Sequence, residues 1–369
     1  AVLAWTLVAV GGWAAWEHRL AAPAAPHREL NTVDDDADKW PEAAVEYEVD
    51  RLSEAIERRP DDVEARFTLA RLLMRRYRDE TLEALRAEPA TAGMSEQALE
   101  RIADPGFGAF AAIGPDQTAR LSAIRADPRV QRSLAPAFEQ LSAARADCPF
   151  LPRLDYHLAR IAWAAPGEDP TGRRFLSALH RNFPADVDVQ AAAADRAERL
   201  GLHEIADECW RSVLALDADR AAVVASTLST GKIPDVAERA RFLTLLPSSP
   251  AAHSAAAEAV ATKFPTLAVE LAEKTLAGDA APRDRAFALR LTNDSAGAVE
   301  AMRSHLAAAP RDVAARRTFI GWLLEDERLD AASEQLAILS AVAPDDPLTD
   351  RLLDRLAQAR RSASTDGVR

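Results

Sequence analysis

Glycine is scarce in this chain, with 14 residues in 369, and long alternating runs of β-branched residues are missing. Half-buried strands, which need that period-two alternation, have little to build on. Aromatic residues make up only 6% although 48% of the chain is hydrophobic, so alanine carries much of the apolar content. Alanine is the best helix former and leaves room for helices to approach closely. These shortages together predict an all-α protein.

Cysteine is nearly absent as well. Cys148 and Cys209 stand in unrelated contexts with no C-x-x-C pair, which supports neither a zinc site nor a thioredoxin-like redox site. Both are expected to be small buried apolar groups. Basic charge is in deficit, 45 Lys and Arg against 58 Asp and Glu, for a net charge of −13. A phosphate backbone would be repelled, and no basic stripe relieves the balance, so nucleic acid is excluded as a partner. A solvated helical surface accounts for the acidity.

Ala1–Trp16 reads AVLAWTLVAVGGWAAW without a charge, and Glu17, His18 and Arg19 close the run. As a helix it would cover roughly 24 Å of the roughly 30 Å hydrocarbon core. The chain opens on Ala rather than Met, and the expectation is a truncated transmembrane helix over residues 1–20. Trp13 and Trp16 sit beside the charges, where an interfacial aromatic belt belongs. A secretory signal peptide and a buried helix are the alternatives. Residues 21–43, with Pro23, Pro26, Asp34, Asp35, Asp36 and Pro41, read as a polar tether holding the rest clear of the bilayer.

Beyond the tether, proline or alanine recurs after amphipathic helices at Pro149, Pro184, Ala218, Pro250, Ala280, Pro310 and Pro344, at intervals of 30 to 35 residues. A period near 34 marks stacked helix–turn–helix units, each needing a neighbour to bury its apolar face. The best unit is Val187–Arg220. It has Ala194 at the helix crossing, Gly201 at the turn, Ala206 early in the second helix, Trp210 as the large aromatic, then Val213, Leu214 and Leu216-Asp217. In these residues the unit resembles the tetratricopeptide-repeat family, with Ala218 in place of the usual helix-ending proline. The physics agrees: small residues permit a close crossing, and Trp210 fills the gap to the next unit.

Val313–Asp346 repeats the scheme through Phe319, Leu323, Leu329, Ala332, Leu336, Leu339 and Pro344, with Gly321 one residue late. Ala298, Met302, Leu306 and Pro310 close another unit, and Ala268, Ala272, Leu276 and Asp279 the one before it. Upstream, Ala137, Leu141, Ala144 and Pro149 do the same, while Leu52, Ala55, Ile56 and Pro60 precede a first helix carrying Phe67, Leu69, Ala70 and Leu73. Thr91–Leu134 breaks the pattern with Pro105, Gly106, Gly108, Gly114, Pro115 and Pro128. It reads as a degenerate unit, or else as a loop that touches a partner. The predicted organisation is N-terminal degenerate repeats with an insertion over 44–134, tetratricopeptide-like repeats over 135–346, and a capping helix and tail over 347–369.

Catalytic motifs do not appear. Gly231-Lys232 lacks the serine or threonine and the earlier glycine of a P-loop. His203-Glu204 begins like a zinc-protease helix, but Asp207 stands where the second histidine would be, and His203 falls at the turn-packing position of its repeat. The seven histidines have no ligand spacing, and no G-x-S-x-G elbow occurs. The reading assigns no catalytic residue, no metal and no cofactor, and the chain as given is not expected to be an enzyme.

The tetratricopeptide resemblance implies a concave face, lined by first helices, that receives a protein or peptide partner. Carried to the best unit, the partner-facing positions are Asp188, Ala191, Asp195, Glu198 and Arg199, a mixed set suited to a basic or mixed segment; plain solvated surface is the alternative for each. A second resemblance lies in Ala144-Arg145-Ala146-Asp147-Cys148-Pro149, Tyr156-His157-Leu158-Ala159-Arg160 and Glu208-Cys209-Trp210-Arg211-Ser212. These are similar to the C-terminal repeat regions of bacterial O-antigen ligase or polymerase-type membrane proteins, which would place any glycan-transfer chemistry upstream of this sequence. The leading expectation is therefore a membrane-anchored, non-catalytic scaffold with its soluble part outside the cytoplasm. The accessory region of a polytopic glycan ligase is the alternative.

Overall fold

The computed structural model describes residues 42–112, 117–229, 235–344 and 347–366. The expected transmembrane helix and most of the tether lie outside them. Among the described residues no helix is long and apolar enough to cross a membrane, and there is no strand. The chain divides into two compact units, Ala1–Val213 and Leu214–Arg369.

The first unit begins with α1 (Glu42–Arg58) and α2 (Val63–Ala87), followed by α3 (Glu96–Ala103), a 3-10 turn at Phe107–Ala112 and α4 (Gln117–Arg125). A wider π-type turn, Val130–Leu134, leads into α5 (Ala135–Asp147), and then come α6 (Pro152–Ile161), α7 (Arg173–Asn182), α8 (Val187–Arg199) and α9 (His203–Leu216), which crosses into the second unit. That unit continues through α10 (Ala221–Leu228), α11 (Val236–Leu245), α12 (Pro250–Val260), α13 (Pro265–Ala277), α14 (Pro282–Leu291), α15 (Ser295–Ala308), α16 (Val313–Glu325), α17 (Leu329–Val342) and α18 (Pro347–Asp366).

Helix starts follow from local chemistry. Asp62, Asp186, Asp294 and Asp312 each accept a backbone N–H of the first turn, which satisfies a donor that has no intrahelical partner. Asp235 and Glu238 form a reciprocal capping box at α11. Pro152, Pro250, Pro265 and Pro282 stand in first turns, where the missing N–H costs nothing. Pro250 therefore opens α12 as much as it follows α11.

In the second unit α10 packs on α11, and from α12 onward each helix packs on the next; helices also meet across hairpins at α10 on α12, α12 on α14, and α16 on α18. Ala286, Ala298, Ala315 and Ala332 are fully buried or nearly so at these contacts, and Phe287 meets Trp322 edge to face with ring centres 5.1 Å apart. The last helix, α18, buries Leu352 and Leu356 on α16 and α17 and leaves Leu348 and Leu353 exposed.

In the first unit α2 packs on α1, α3 and α5, while α5 packs on α6, α6 on α7 and α7 on α8. Within the best repeat Ala194 and Ala206 are fully buried, and Trp210 and Val213 are buried with them. Gly201 takes φ +69° at the turn, a left-handed conformation that costs other residues about 1–2 kcal/mol. Two expectations are corrected. Cys148 is half-buried rather than a core residue, because it follows the end of α5. His203 does not pack into the turn; its side chain is 62% exposed beside Glu198.

The full burial of Ala194 leads to an expected outcome. Ala194→Leu is expected to cost about 1–3 kcal/mol by overpacking. Ala192→Leu, on the half-buried side of the same helix, should stay within about 0.5 kcal/mol. Urea-denaturation midpoints of the two variants check the difference.

Candidate functional site: an arginine-lined face closed by an inserted segment

The interval between α2 and α5, read from sequence as a break, holds the most elaborate chemistry in the first unit. Arg71, Arg75 and Arg78 fall at i, i+4 and i+7 of α2, on one side of the helix. On α6, Arg153, His157 and Arg160 repeat the same spacing. The two rows flank a cavity of about 50 Å³ lined by Arg71, Met74, Arg75, Arg78, Asp104, Pro105, His157 and Arg160.

Aromatic rings floor this face. His157 lies 5.6 Å from the Phe67 ring and 5.7 Å from Tyr156, and the Arg153 guanidinium sits 4.3 Å above Phe67. Arg153 also pairs with Glu64. From the side, Asp79 meets Arg75 at 3.2 Å and Arg78 at 3.4 Å.

The segment Asp104–Phe110 closes the face, and its contacts are mainly main-chain. The Trp163 indole N–H donates to the Pro105 carbonyl at 2.7 Å, and Arg196 Nη2 on α8 donates to the Gly106 carbonyl at 2.7 Å. Asp104 pairs with Arg160 at 2.7 Å and accepts the Gly106 N–H at 2.6 Å. Trp163 is fully buried, and Gly108 lies against its indole so closely that a side-chain carbon there would overlap the ring. Arg125 Nε in turn donates to the Trp163 carbonyl at 2.6 Å. A stretch rich in glycine and proline is thus held by donors that are themselves buried, where a hydrogen bond is least exposed to competition from water.

Burial also sets the electrostatics. Arg196 is lowered to about 10, chiefly by desolvation and then by the like charge of Arg160. His157 is held well below its ordinary value by burial, with Arg160, Arg71 and Arg153 adding to the effect. Elsewhere in the unit, Asp155 is fully buried and bonded by Arg145, yet burial still raises its carboxyl above the usual range. Cys209 is pushed up to about 12 by burial, which keeps it a thiol at neutral pH.

The sequence-predicted partner residues all lie on α8. Asp195 and Arg199 pair with each other at 2.7 Å, Asp188 is half-buried, and Glu198 lies 3.4 Å from His203. Ala191 is buried at 6% exposure, so its position faces helix rather than solvent, and it is withdrawn from the partner-facing set. Gln190, which sequence reading passed over, is fully buried and satisfied: its amide donates to the carbonyls of His180 and Phe183, and its oxygen meets His180 Nδ1 at 2.8 Å.

The neutral His157 gives a signed pH dependence. The unfolded chain protonates this imidazole near 6.5, whereas the folded protein resists doing so, so below about pH 6.5 the unfolded state binds the extra proton. Stability is expected to fall with acidification by up to about 1.4 kcal/mol per pH unit from this residue. Urea titrations between about pH 7 and about pH 5 measure the slope. In His157→Phe that component should vanish, and an unchanged slope would contradict the assignment.

No family model matches the chain, and no curated protein sequence matches it either. Among solved structures, the yeast Tom70 crystal structure is similar at TM-score 0.31 and 12% identity, over 89% of this chain and 87% of that one. A chain of the APC/C hetero-tetramer Cut9–Hcn1 is similar at TM-score 0.28 and 12% identity, over 79% of this chain. This chain spans 63% of the length of that one. The all-α description above rests on this chain's own helices and their packing.

Proposed function

We propose that the chain is a non-catalytic scaffold of tetratricopeptide type, which holds a protein partner against the exposed side of its first helices. The observation that carries this reading is the packing of helices across hairpins in the second unit, α10 on α12, α12 on α14 and α16 on α18. Such an array presents one face of each first helix side by side along the stack. The small residues at the hairpin crossing, Ala194 and Ala206, support the same family reading. On α8 Asp188, Asp195 and Glu198, half-buried, and Arg199, exposed, are the proposed partner-facing positions, a mixed-charge set suited to a polar partner segment.

Attachment to a membrane through residues 1–20, with the rest outside the cytoplasm, belongs to the same proposal. It is supported by the uncharged run Ala1–Trp16 and its flanking tryptophans. The O-antigen ligase alternative rests on the short segments around Cys148 and Cys209 together with the apolar run that precedes them.

A photo-crosslinking residue at Asp195, compared with one at Arg211 on the second helix, tests the scaffold in the native host. A single species captured from position 195, absent from position 211 and sedimenting with membranes is the expected result. Equal capture from both positions, or none from 195, would count against a partner on this face; a captured species that stays soluble would remove the membrane tether alone.

A further inference from the structure

The stretch between α2 and α5 interrupts a repeat, and the hydrogen bonds show where. At the start of α2, Pro60, Asp62, Val63, Ala65 and Arg66 match Pro310, Asp312, Val313, Ala315 and Arg316 at the start of α16. Arg66 donates to the Pro60 carbonyl at 2.7 Å and to Gln140 Oε1 on α5 at 2.6 Å. Arg316 likewise donates to the Pro310 carbonyl at 2.7 Å and to Gln335 Oε1 on α17 at 2.5 Å. Counted from the two glutamines, Ala137, Leu141, Ala144 and Pro149 fall on Ala332, Leu336, Leu339 and Pro344, and the first three of each set are buried. So α2 and α5 are the first and second helices of one repeat. Arginine and glutamine stand 74 positions apart in it against 19 in the later hairpin, and the excess is the inserted segment, carried in the turn between the two helices.

The next first helices are α6 and α8, which follow Pro149 and Pro184. Counted from Pro60, Pro149 and Pro184, Arg71, Arg160 and Asp195 share one register position, and Met74, Trp163 and Glu198 another. Asp195 and Glu198 are partner-facing positions of the scaffold reading. On α2 and α6 the equivalent positions are taken by the inserted segment. Arg71, Met74 and Arg160 line the same cavity as Asp104 and Pro105. Arg160 pairs with Asp104, Trp163 donates to the Pro105 carbonyl, and Arg196, beside Asp195 on α8, donates to the Gly106 carbonyl, each at 2.7 Å. Asp104 to Phe107 is a tight turn, in which the Phe107 N–H donates to the Asp104 carbonyl at 2.8 Å across Pro105 and Gly106. Two main-chain carbonyls and one carboxylate are thus read by side chains of successive first helices. Peptides are recognised in the same way, main-chain hydrogen bonds holding them and a side chain selecting them.

We propose that the Asp104–Phe107 turn is an intramolecular ligand of the first unit, seated on the face of α2, α6 and α8 where a partner would bind. The partner of this unit is then a protein that presents the same tight acidic turn, Asp-Pro-Gly or its equivalent, and displaces the resident one. This occupant presupposes the scaffold reading of the first helices and gives it a partner chemistry: a carboxylate for Arg160, then two carbonyls for Trp163 and Arg196. A tethered turn competes at an effective concentration on the order of millimolar, so the resident turn keeps the face closed to weak competitors.

The test is fluorescence anisotropy of a labelled cyclic peptide of residues 102–110, titrated with the full chain and with variants whose own turn is unseated. Gly108→Ala unseats it, because the added carbon would lie 2.4 Å from the buried Trp163 indole, while every residue that reads the turn is kept. Asp104→Ala removes the ion pair with Arg160 without a clash and covers the case in which Gly108→Ala fails to fold. Saturable binding at least tenfold tighter in either variant than in the native chain, and lost again when Arg196→Gln is added, is the expected result. Three results would overturn the proposal: Phe107–Ala109 amides that stay protected from exchange in both variants, equal peptide affinity in native chain and variants, or an unseated turn with no saturable binding. None of them alters capture from position 195 in the native host, so the resident turn and the scaffold reading fail separately.

Discussion

Each helix in this protein can hide only one stripe of its surface, and every hairpin depends on a neighbour to cover what it cannot cover itself. Burial of apolar area is the main favourable term in folding, and here it is gained mostly between successive elements. Fully buried alanines such as Ala194, Ala206, Ala286 and Ala332 set the close spacing that makes such contacts productive. The scarcity of aromatic residues fits the same plan, since large rings are needed only where backbones stand further apart, as at Phe287 with Trp322.

In the first unit the same requirement produces a different solution. The long helix α2 does not hand its open side directly to another regular hairpin. The inserted stretch, with its short helices and turns, folds against it, and the Pro105 and Gly106 carbonyls are secured by Trp163 and Arg196. Arginines on α2 and α6 are drawn into a partly enclosed space as a result, and the histidine among them is forced neutral. A segment that supplies burial for its neighbours thus also closes over the arginine-lined face. Packing and site chemistry are consequences of a single arrangement.

Much of the regular architecture was legible in the sequence because its causes are local. Period, caps and small residues act within about one hairpin, so Gly201, Ala194, Ala206 and Trp210 could be placed before any coordinates. The inserted segment could not be read in this way. Its holding contacts join Trp163 to Pro105 and Arg196 to Gly106, which lie 58 and 90 positions apart, and no periodicity encodes such a pairing. The spacing of Arg71, Arg75 and Arg78 was visible, but its meaning depends on α6, far along the chain. Ala191 was misplaced for a related reason. The family pattern gives its position in the helix, while its burial depends on how the neighbouring helices lean.

The central claim, that hairpins and inserted segment are stable only through one another, is tested most directly by native-state hydrogen exchange of the first unit in the intact chain and in Trp163→Phe. The account predicts that the Phe107–Ala109 amides are protected in the intact chain to the same degree as those of Leu158–Ile161 on α6. It also predicts that loss of the indole N–H accelerates both sets together. Rapid exchange of the inserted segment in the intact chain, with α6 protected and indifferent to the substitution, would contradict it.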